Sequence, residues 1–336
     1  MATIKDGVDF LASRLRQIGI FLALIVIIAL FQVLTGGSLL QPANVTNIVV
    51  QNSYILILAI GMVMIIIAGH IDLSVGSVAA FVGAMSGVMI TQWGWPWWAA
   101  IVGGLLVGAL VGAWQGFWVA YVGIPAFIVT LAGMLLFRGL TQMVLGGQQI
   151  TPFPTEYRQL GGGFVFPELF PAATSPLEWI TVGLGVIATV LLVSQQVRAR
   201  AHRVKLGLED EPMAWFLIKL VFLGGIILAI TFLLASFRGT PIVLVVLGVL
   251  IVVYTAVMNR SVFGRHVYAR GGNQHAAELS GINVKKVDFY LFVNMGVLNN
   301  GMSLMGIGTD AQQFIKGLVL LLAVAFDVWN KRRNRG

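Results

Sequence analysis

Few ionisable residues of this 336-residue chain fall within its apolar stretches. His70 and Asp72 lie between two apolar runs, in GMVMIIIAGHIDLSVGSVAAFVGA at 61–84, and Arg138 lies inside another run. If such runs span a membrane, a charged group at that depth is costly and usually faces the bundle interior or a water-filled path. These residues are therefore the first candidates for function.

Two interpretations of Asp72 and Ser74 are open. Both residue types cap helix N-termini, and an aspartate at a helix start is favoured by the helix dipole. A helix break with exposed amides could instead bind a polar substrate, as discontinuous helices do in transporters. The residue types favour the cap. Arg138 is equally compatible with lining a polar path and with snorkelling to the nearby outer surface.

Most enzyme chemistry is excluded by residue type. The chain has no cysteine, and its four histidines show no HExxH spacing, so neither a thiol nucleophile nor a zinc site is predicted. No GxxxxGK[ST] motif occurs, so any ATP must be bound by another polypeptide. We predict no catalytic residue, no metal and no cofactor.

The composition indicates a polytopic membrane protein. Hydrophobic residues make up 58% of the chain and charged residues 10%, whereas soluble domains carry about 25% charged residues. A spanning helix needs about 20 mostly apolar residues. We therefore predict an all-α transmembrane bundle with about ten segments, in one domain over 1–336. The apolar runs fall near 18–34, 53–69, 73–90, 97–119, 124–146, 177–194, 214–235, 241–257, 287–306 and 312–329.

The basic residues predict the orientation. Sixteen of the 21 Lys and Arg residues fall in four clusters beside apolar runs, near both termini and in the links 195–213 and 258–286. Basic residues concentrate on the cytoplasmic side, so both termini and these two links are expected inside and the Pro- and Gly-rich link 147–176 outside. Because no aromatic-interleaved basic face accompanies the clusters, a nucleic-acid partner is not expected.

Glycines recur every four residues in the fourth apolar run. Small residues at this spacing let helix backbones approach closely in a membrane. Tight helix packing is favoured over direct substrate contact. The residues are Gly104, Gly108, Gly112 and Gly116.

The inside link 258–286 is too polar to span a membrane, yet it contains a short helical pattern at 274–280. Asn273 is a suitable N-cap and Gly281 a suitable stop. Ala276 and Ala277 would give this helix a low-relief face for a partner's groove. A docking helix and a connector lying on the membrane are both open from these residues alone.

Several long motifs, in order, resemble permease subunits of bacterial ABC sugar importers of the ribose, xylose and galactose group. The long link and extra segments between 179 and 257 are most similar to the xylose or multiple-monosaccharide branch. The resemblance covers most of the chain. Its motifs are GMVMIIIAGHIDLSVGS at 61–77, GAWQGFWVAY at 112–121, PAFIVTLAGMLLFRG at 125–139, FGRHVYARGGNQHAAELSGINV at 263–284 and the stretch 299–327.

The resemblance implies an inner-membrane homodimer that works by alternating access on a monosaccharide such as xylose. It also implies two partners, an ATPase subunit docking from the cytoplasm and a periplasmic sugar-binding protein. The family's ATPase-docking loop corresponds here to Gly272, Asn273, Ala276, Ala277, Glu278, Leu279 and Gly281.

One departure from the family concerns the C-terminal part. Relatives continue after a stretch like DFYLFVNMG (288–296) through several tens of residues that are missing here near 296–297. The run 287–306 is therefore expected to join parts of two family helices. The main alternative function is a secondary transporter or facilitator, which would need intramembrane acid or histidine relays that are scarce here. A membrane enzyme is opposed by the lack of a catalytic constellation.

Overall fold

The structure, a computed structural model, describes residues 25–148, 150–165, 177–207 and 212–303, and the regular secondary structure of this part is helical. An all-α membrane bundle is thereby confirmed. Most of the helices correspond to the apolar runs of the sequence. The helices are α1 (Ile25–Leu34), α2 (Pro42–Ile67), α3 (Val75–Thr91), α4 (Trp97–Phe117), α5 (Ala126–Leu145), α6 (Thr155–Gly162), α7 (Trp179–Lys205), α8 (Met213–Ala235), α9 (Ile242–Arg260), α10 (Val262–Gly272), α11 (Gln274–Leu279) and α12 (Val284–Ser303).

Six helices of the described chain are long and apolar enough to cross a membrane. They are α2, α4 with the π-helical turn Trp118–Val122 that continues it, α5, α7, α8 and α9. Helix α3 is apolar but has only 17 residues. The first predicted run is described only from Ile25 on, and the run 312–329 lies outside the described residues, so the number of ten segments stays a prediction.

Two helix boundaries differ clearly from the sequence prediction. Helix α2 begins at Pro42, well before the predicted run at 53, because proline suits the first helical position and Thr46 is fully buried. Helix α7 continues to Lys205 through half of the predicted link 195–213. Its last turn carries His202, Arg203 and Lys205, cations that the helix dipole favours at a C-terminus.

The described residues divide into two compact units, with the boundary inside α2 at Val49 and Val50. One unit holds α1, α7 and α8. Within it, Glu178 caps α7 by accepting hydrogen bonds from the backbone N–H groups of Ile180 (3.1 Å) and Thr181 (2.7 Å). Gly185 of α7 lies directly against the side chain of Thr231 of α8, so the two helices pack at close range.

The other unit holds α3–α6 and α9–α12. Helix α12 lies at the centre of this unit and packs against α3 and α4. Phe292 and Leu291 of α12 are almost completely buried in the main apolar cluster of this unit. Helix α12 is continuous through residues 296 and 297, where the family segment is expected to be missing. Gly296 lies at this point and packs against the backbone of Gly108.

Candidate functional site

A break in the helical path separates α2 from α3. Gly69 ends α2 in a left-handed conformation (φ +81°), its N–H bonding to Ile66 O and that of His70 to Ile65 O. This pair of bonds is the Schellman motif, which satisfies carbonyls at a helix C-terminus. Residues 70–74 are not helical, and α3 begins at Val75.

Asp72 and Ser74 in this break belong to a buried polar cluster. One carboxylate oxygen of Asp72 accepts hydrogen bonds from the N–H (2.8 Å) and the hydroxyl (2.7 Å) of Ser74. The amide nitrogen of Gln115 of α4 in turn donates to the Ser74 hydroxyl at 2.8 Å. Asp72, Ser74 and Gln115 are at most 3% exposed. Asp72 thus folds the backbone just before α3 by accepting from the N–H two residues on, an Asx turn, whereas Ser74 at the N-cap position makes no side-chain capping hydrogen bond to α3. The polar cluster is enclosed rather than an open binding site.

The same break is attached to α5 by Thr130. The N–H of Leu73 donates to the Thr130 hydroxyl at 3.1 Å, and this hydroxyl lies 3.3 Å from the carbonyl oxygen of Ile71. Gly133, one turn further on, leaves room for Gln115, since a Cβ there would lie 2.6 Å from the Gln115 amide nitrogen. Helices α4 and α5 therefore both hold the break. Neither Gln115 nor Thr130 was found from the sequence, because an uncharged polar residue in an apolar run carries little signal.

Arg138 lies away from this cluster. It is exposed on α5, two turns before the helix ends at Leu145, and no described residue forms an ion pair or hydrogen bond with it. Within the described residues, the structure does not support a role for Arg138 in lining a polar path inside the chain. An arginine in this position can extend its long side chain to the headgroup region.

The glycines of α4 lie in the helix interface, where Gly104, Gly108, Gly112 and Gly116 are all buried. A Cβ on Gly108 would overlap the carbonyl of Gly296, and one on Gly112 would overlap that of Phe292. A Cβ on Gly116 would lie 3.0 Å from the carbonyl oxygen of Phe289. The arrangement is therefore helix packing of α4 on α12, with backbone rather than substrate as the neighbour.

The link 258–286 is mostly helical and contains the short helix where the sequence placed it. The Asn273 side chain accepts from the N–H of Ala276 at 3.0 Å, and Gly281 follows α11 with φ +83°. Ala277, however, is only 4% exposed, whereas Leu279 is 78% exposed. The expectation that Ala277 offers a face to a partner needs correction, because this side chain is buried against the chain itself.

All the other residues assigned to docking are exposed. Gly272, Glu278 and Gly281 join Asn273, Ala276 and Leu279 on the surface of the described chain. The accessible part of α11 is thus mostly polar with one large apolar side chain. Such a composition suits a docking contact in which Leu279 enters a groove.

An ion pair beside this segment was not found from the sequence. Arg270 of α10 binds both carboxylate oxygens of Asp288 of α12, at 2.9 and 3.1 Å. His70 Nε2 lies 3.0 Å from Asp288 Oδ1, although no described group is aligned to accept a hydrogen bond from it. The sequence placed His70 close to Asp72 between two apolar runs, and in the fold His70 lies beside Asp288 of α12. The reason is that these residues come together only in the tertiary fold.

A cavity of about 430 Å³ adjoins this ion pair. Its walls come from the end of α2, the segment after the π-helical turn, helices α10 and α11, and the start of α12. The cavity thus lies where four elements meet near helix ends. It is lined by Gly69, His70, Gly123, Pro125, Lys285 and Asp288, among others.

Within the described residues, no cluster of His, Asp or Glu is suited to a metal ion. Apolar helices long enough to span a membrane and a buried polar break between two of the helices are typical of a multi-pass membrane protein. A family model described as the branched-chain amino acid transport system / permease component matches residues 44–300. The chain belongs to this family of permease components, and it is a multi-pass protein of the bacterial inner membrane.

Relatives cover almost the whole chain. The xylose transport system permease protein XylH of Escherichia coli (strain K12) is 32% identical over 389 aligned residues, covering 98% of this chain and 96% of the relative. XylH of Haemophilus influenzae is also 32% identical, covering 93% of this chain and 96% of its own. The ribose import permease protein RbsC of Bacillus subtilis is 30% identical and covers 93% of each chain. No solved structure matches.

These relatives confirm the resemblance to permeases of sugar importers that the motifs indicated. The relatives are transport permeases rather than enzymes. The alignment with the Escherichia coli protein is longer than the 336 residues of this chain, so that relative contains residues without a counterpart here. The expectation that a family segment is missing near 296–297 stays a prediction.

Proposed function

We propose that this chain is the membrane-spanning subunit of an ATP-driven importer of a monosaccharide, xylose or several sugars. The observation that carries the proposal is the exposed helix α11, held by its own N-cap and stop, in a chain whose relatives are sugar permeases. ATP would be hydrolysed on a separate subunit, since the chain has no P-loop. A periplasmic binding protein would deliver the sugar.

The proposed orientation has ten segments, with both termini and the α10–α11 region in the cytoplasm. The four basic clusters support it through the positive-inside rule. Helix α7 fits this arrangement, because its basic C-terminal turn would reach the cytoplasmic surface. The segment containing α6 would then lie outside, where a binding protein could contact it.

The proposed mechanism is alternating access in a homodimer. Closure of the ATPase subunits on ATP would move α11, and the bundle would open alternately to either side around a central path. In this proposal Leu279 and the exposed residues around it contact the ATPase, while buried Ala277 holds α11 against its own chain. The protein performs no covalent chemistry.

The test is reconstitution of the purified chain with candidate P-loop ATPase and binding-protein partners in proteoliposomes. We expect the ATPase subunit to co-purify, and uptake of labelled xylose to require ATP hydrolysis and the binding protein. Competition by unlabelled ribose, arabinose and glucose would define the range of sugars. Uptake by the chain alone, driven by an ion gradient or by the sugar gradient, would favour the secondary transporter or facilitator instead.

A further inference from the structure

Arg270 joins three elements of the chain at the end of α2. Its Nε and Nη2 donate to the two carboxylate oxygens of Asp288 at 2.9 and 3.1 Å, and its Nη1 donates to the carbonyl oxygen of Ala68. Arg270 belongs to α10 and Asp288 to α12, whereas Ala68 directly follows α2. The side chains of the pair are 12% and 8% exposed, so this is a largely buried, bidentate contact.

The backbones of α10 and α2 are in direct contact at the same place. A Cβ on Gly271 would overlap the carbonyl oxygen of Ile67, and one on Gly69 would lie 3.3 Å from Arg270 Nη1. No side chain therefore separates the backbone of Gly271 from that of Ile67. A movement of α10 towards α2 would displace the residues around Ala68.

The break with its buried polar cluster begins immediately after this contact. Five residues separate Ala68 from the end of the break at Ser74, and the cluster attaches the break to Gln115 of α4 and Thr130 of α5. In the other direction along the chain, only Gly271, Gly272 and Asn273 separate Arg270 from α11. Arg270 thus lies between the exposed helix and the polar centre of the bundle.

We propose that Arg270 is a positioning residue for transport, which passes movement of α11 to the break between α2 and α3 through Ala68 and Asp288. The inference rests on the proposed ATP-driven function. It names the residue that would couple ATP hydrolysis on the partner subunit to sugar movement through the bundle. A buried ion pair is seldom better for stability than apolar side chains of similar size, so its value here lies in fixed geometry. Lysine keeps the charge but lacks the planar fork that binds both carboxylate oxygens.

The experiment compares Arg270→Lys with Arg265→Lys, an exposed arginine on the same helix, in the complete reconstituted importer. For Arg270→Lys we expect normal co-purification of the ATPase subunit and continued ATP hydrolysis. The number of sugar molecules transported per ATP should fall at least about fivefold, the lower end of typical coupling effects between sites. Arg265→Lys should match the unmodified chain. Asp288→Asn, which preserves side-chain size, is the second variant if Arg270→Lys does not accumulate, with the same loss expected.

A second readout follows the break directly. The chain has no cysteine, so Ile71→Cys at an exposed position of the break creates a single labelling site for a maleimide. We expect ATP to change the labelling rate in the assembled importer, and expect this response to disappear when Arg270→Lys is added. If Arg270 had only a structural role, Arg270→Lys would change the docking of the ATPase subunit and the labelling response together.

Two results would overturn the inference. One is a parallel loss of transport and ATP hydrolysis, which would assign Arg270 to docking or stability alone. The other is an unchanged ratio of sugar to ATP together with an unchanged labelling response. If the unmodified importer transports sugar without ATP hydrolysis, the proposed function fails first, and the inference fails with it before any variant is compared.

Discussion

Asp72 and Ser74 are joined by two hydrogen bonds to a single carboxylate oxygen, at 2.8 Å from the Ser74 N–H and 2.7 Å from its hydroxyl. This local motif turns the chain into α3 and orients the hydroxyl toward Gln115. The break is thus a built element of the bundle, and its stability depends on the acceptor at Asp72.

Replacing Asp72 by asparagine should therefore be mild, and replacing it by alanine should not. The asparagine side-chain oxygen can accept both hydrogen bonds and suits the same Asx turn, so Asp72→Asn should cost about 1 kcal/mol and leave sugar uptake nearly normal. Asp72→Ala leaves two buried donors without an acceptor, at a cost of about 1–3 kcal/mol each. Thermal unfolding in detergent and uptake normalised to permease abundance measure the difference. Equal damage from both variants would mean that the negative charge itself is required.

The contact of α4 with α12 predicts a sharp size limit at Gly112. Since a Cβ there would overlap the carbonyl of Phe292, Gly112→Ala must push the helices apart and should destabilise the protein by about 1–3 kcal/mol. Gly248→Ala on α9, where a Cβ meets no atom within 4 Å, is the matched control and should be neutral or slightly stabilising. The melting temperatures of the two variants and of the unmodified protein in detergent test this prediction. A Gly112→Ala protein as stable as this control would contradict the packing.

What could be predicted from the sequence depends on how local the signal is. The ends of α11 were predicted because Asn273 and Gly281 act on backbone groups within a few residues of themselves. The ion pair of Arg270 and Asp288 could not be predicted, because the basic residue also satisfied the positive-inside pattern and nothing in the spacing pointed to its partner. The early start of α2 was missed for a similar reason, since polar residues near Thr46 resembled a link until tertiary burial was known.

Leu279 provides the test of docking that buried Ala277 cannot. Leu279→Asp places a charge on the side chain that is 78% exposed and should release the ATPase subunit without affecting the amount of permease in the membrane. Leu206→Asp is the matched control, because Leu206 is 61% exposed in the other basic link and is not assigned to docking. Pull-down of the ATPase subunit with the tagged permease measures the effect. Retained ATPase in Leu279→Asp, or equal loss in both variants, would count against α11 as the docking helix.

We expect any long cationic side chain at position 138 to support transport. Because the arginine is exposed on α5 and snorkelling depends on length and charge, Arg138→Lys should preserve both membrane abundance and uptake. Arg138→Leu, which removes the charge, is the comparison variant. Uptake of labelled xylose per permease measures both. A severe loss of uptake with lysine would instead indicate a specific, bidentate partner outside the described residues.

The orientation can be tested on the cysteine-free chain with single cysteines at exposed positions. Glu156→Cys lies on α6, in the link predicted outside, and Lys205→Cys lies at the end of α7, in the link predicted inside. A membrane-impermeant maleimide should label position 156 in intact spheroplasts and position 205 only after permeabilisation, because four basic clusters hold their links in the cytoplasm. Labelling of both positions after permeabilisation shows that each thiol is accessible. The reverse pattern in intact spheroplasts would invert the topology and place α11 on the wrong side for a cytoplasmic ATPase.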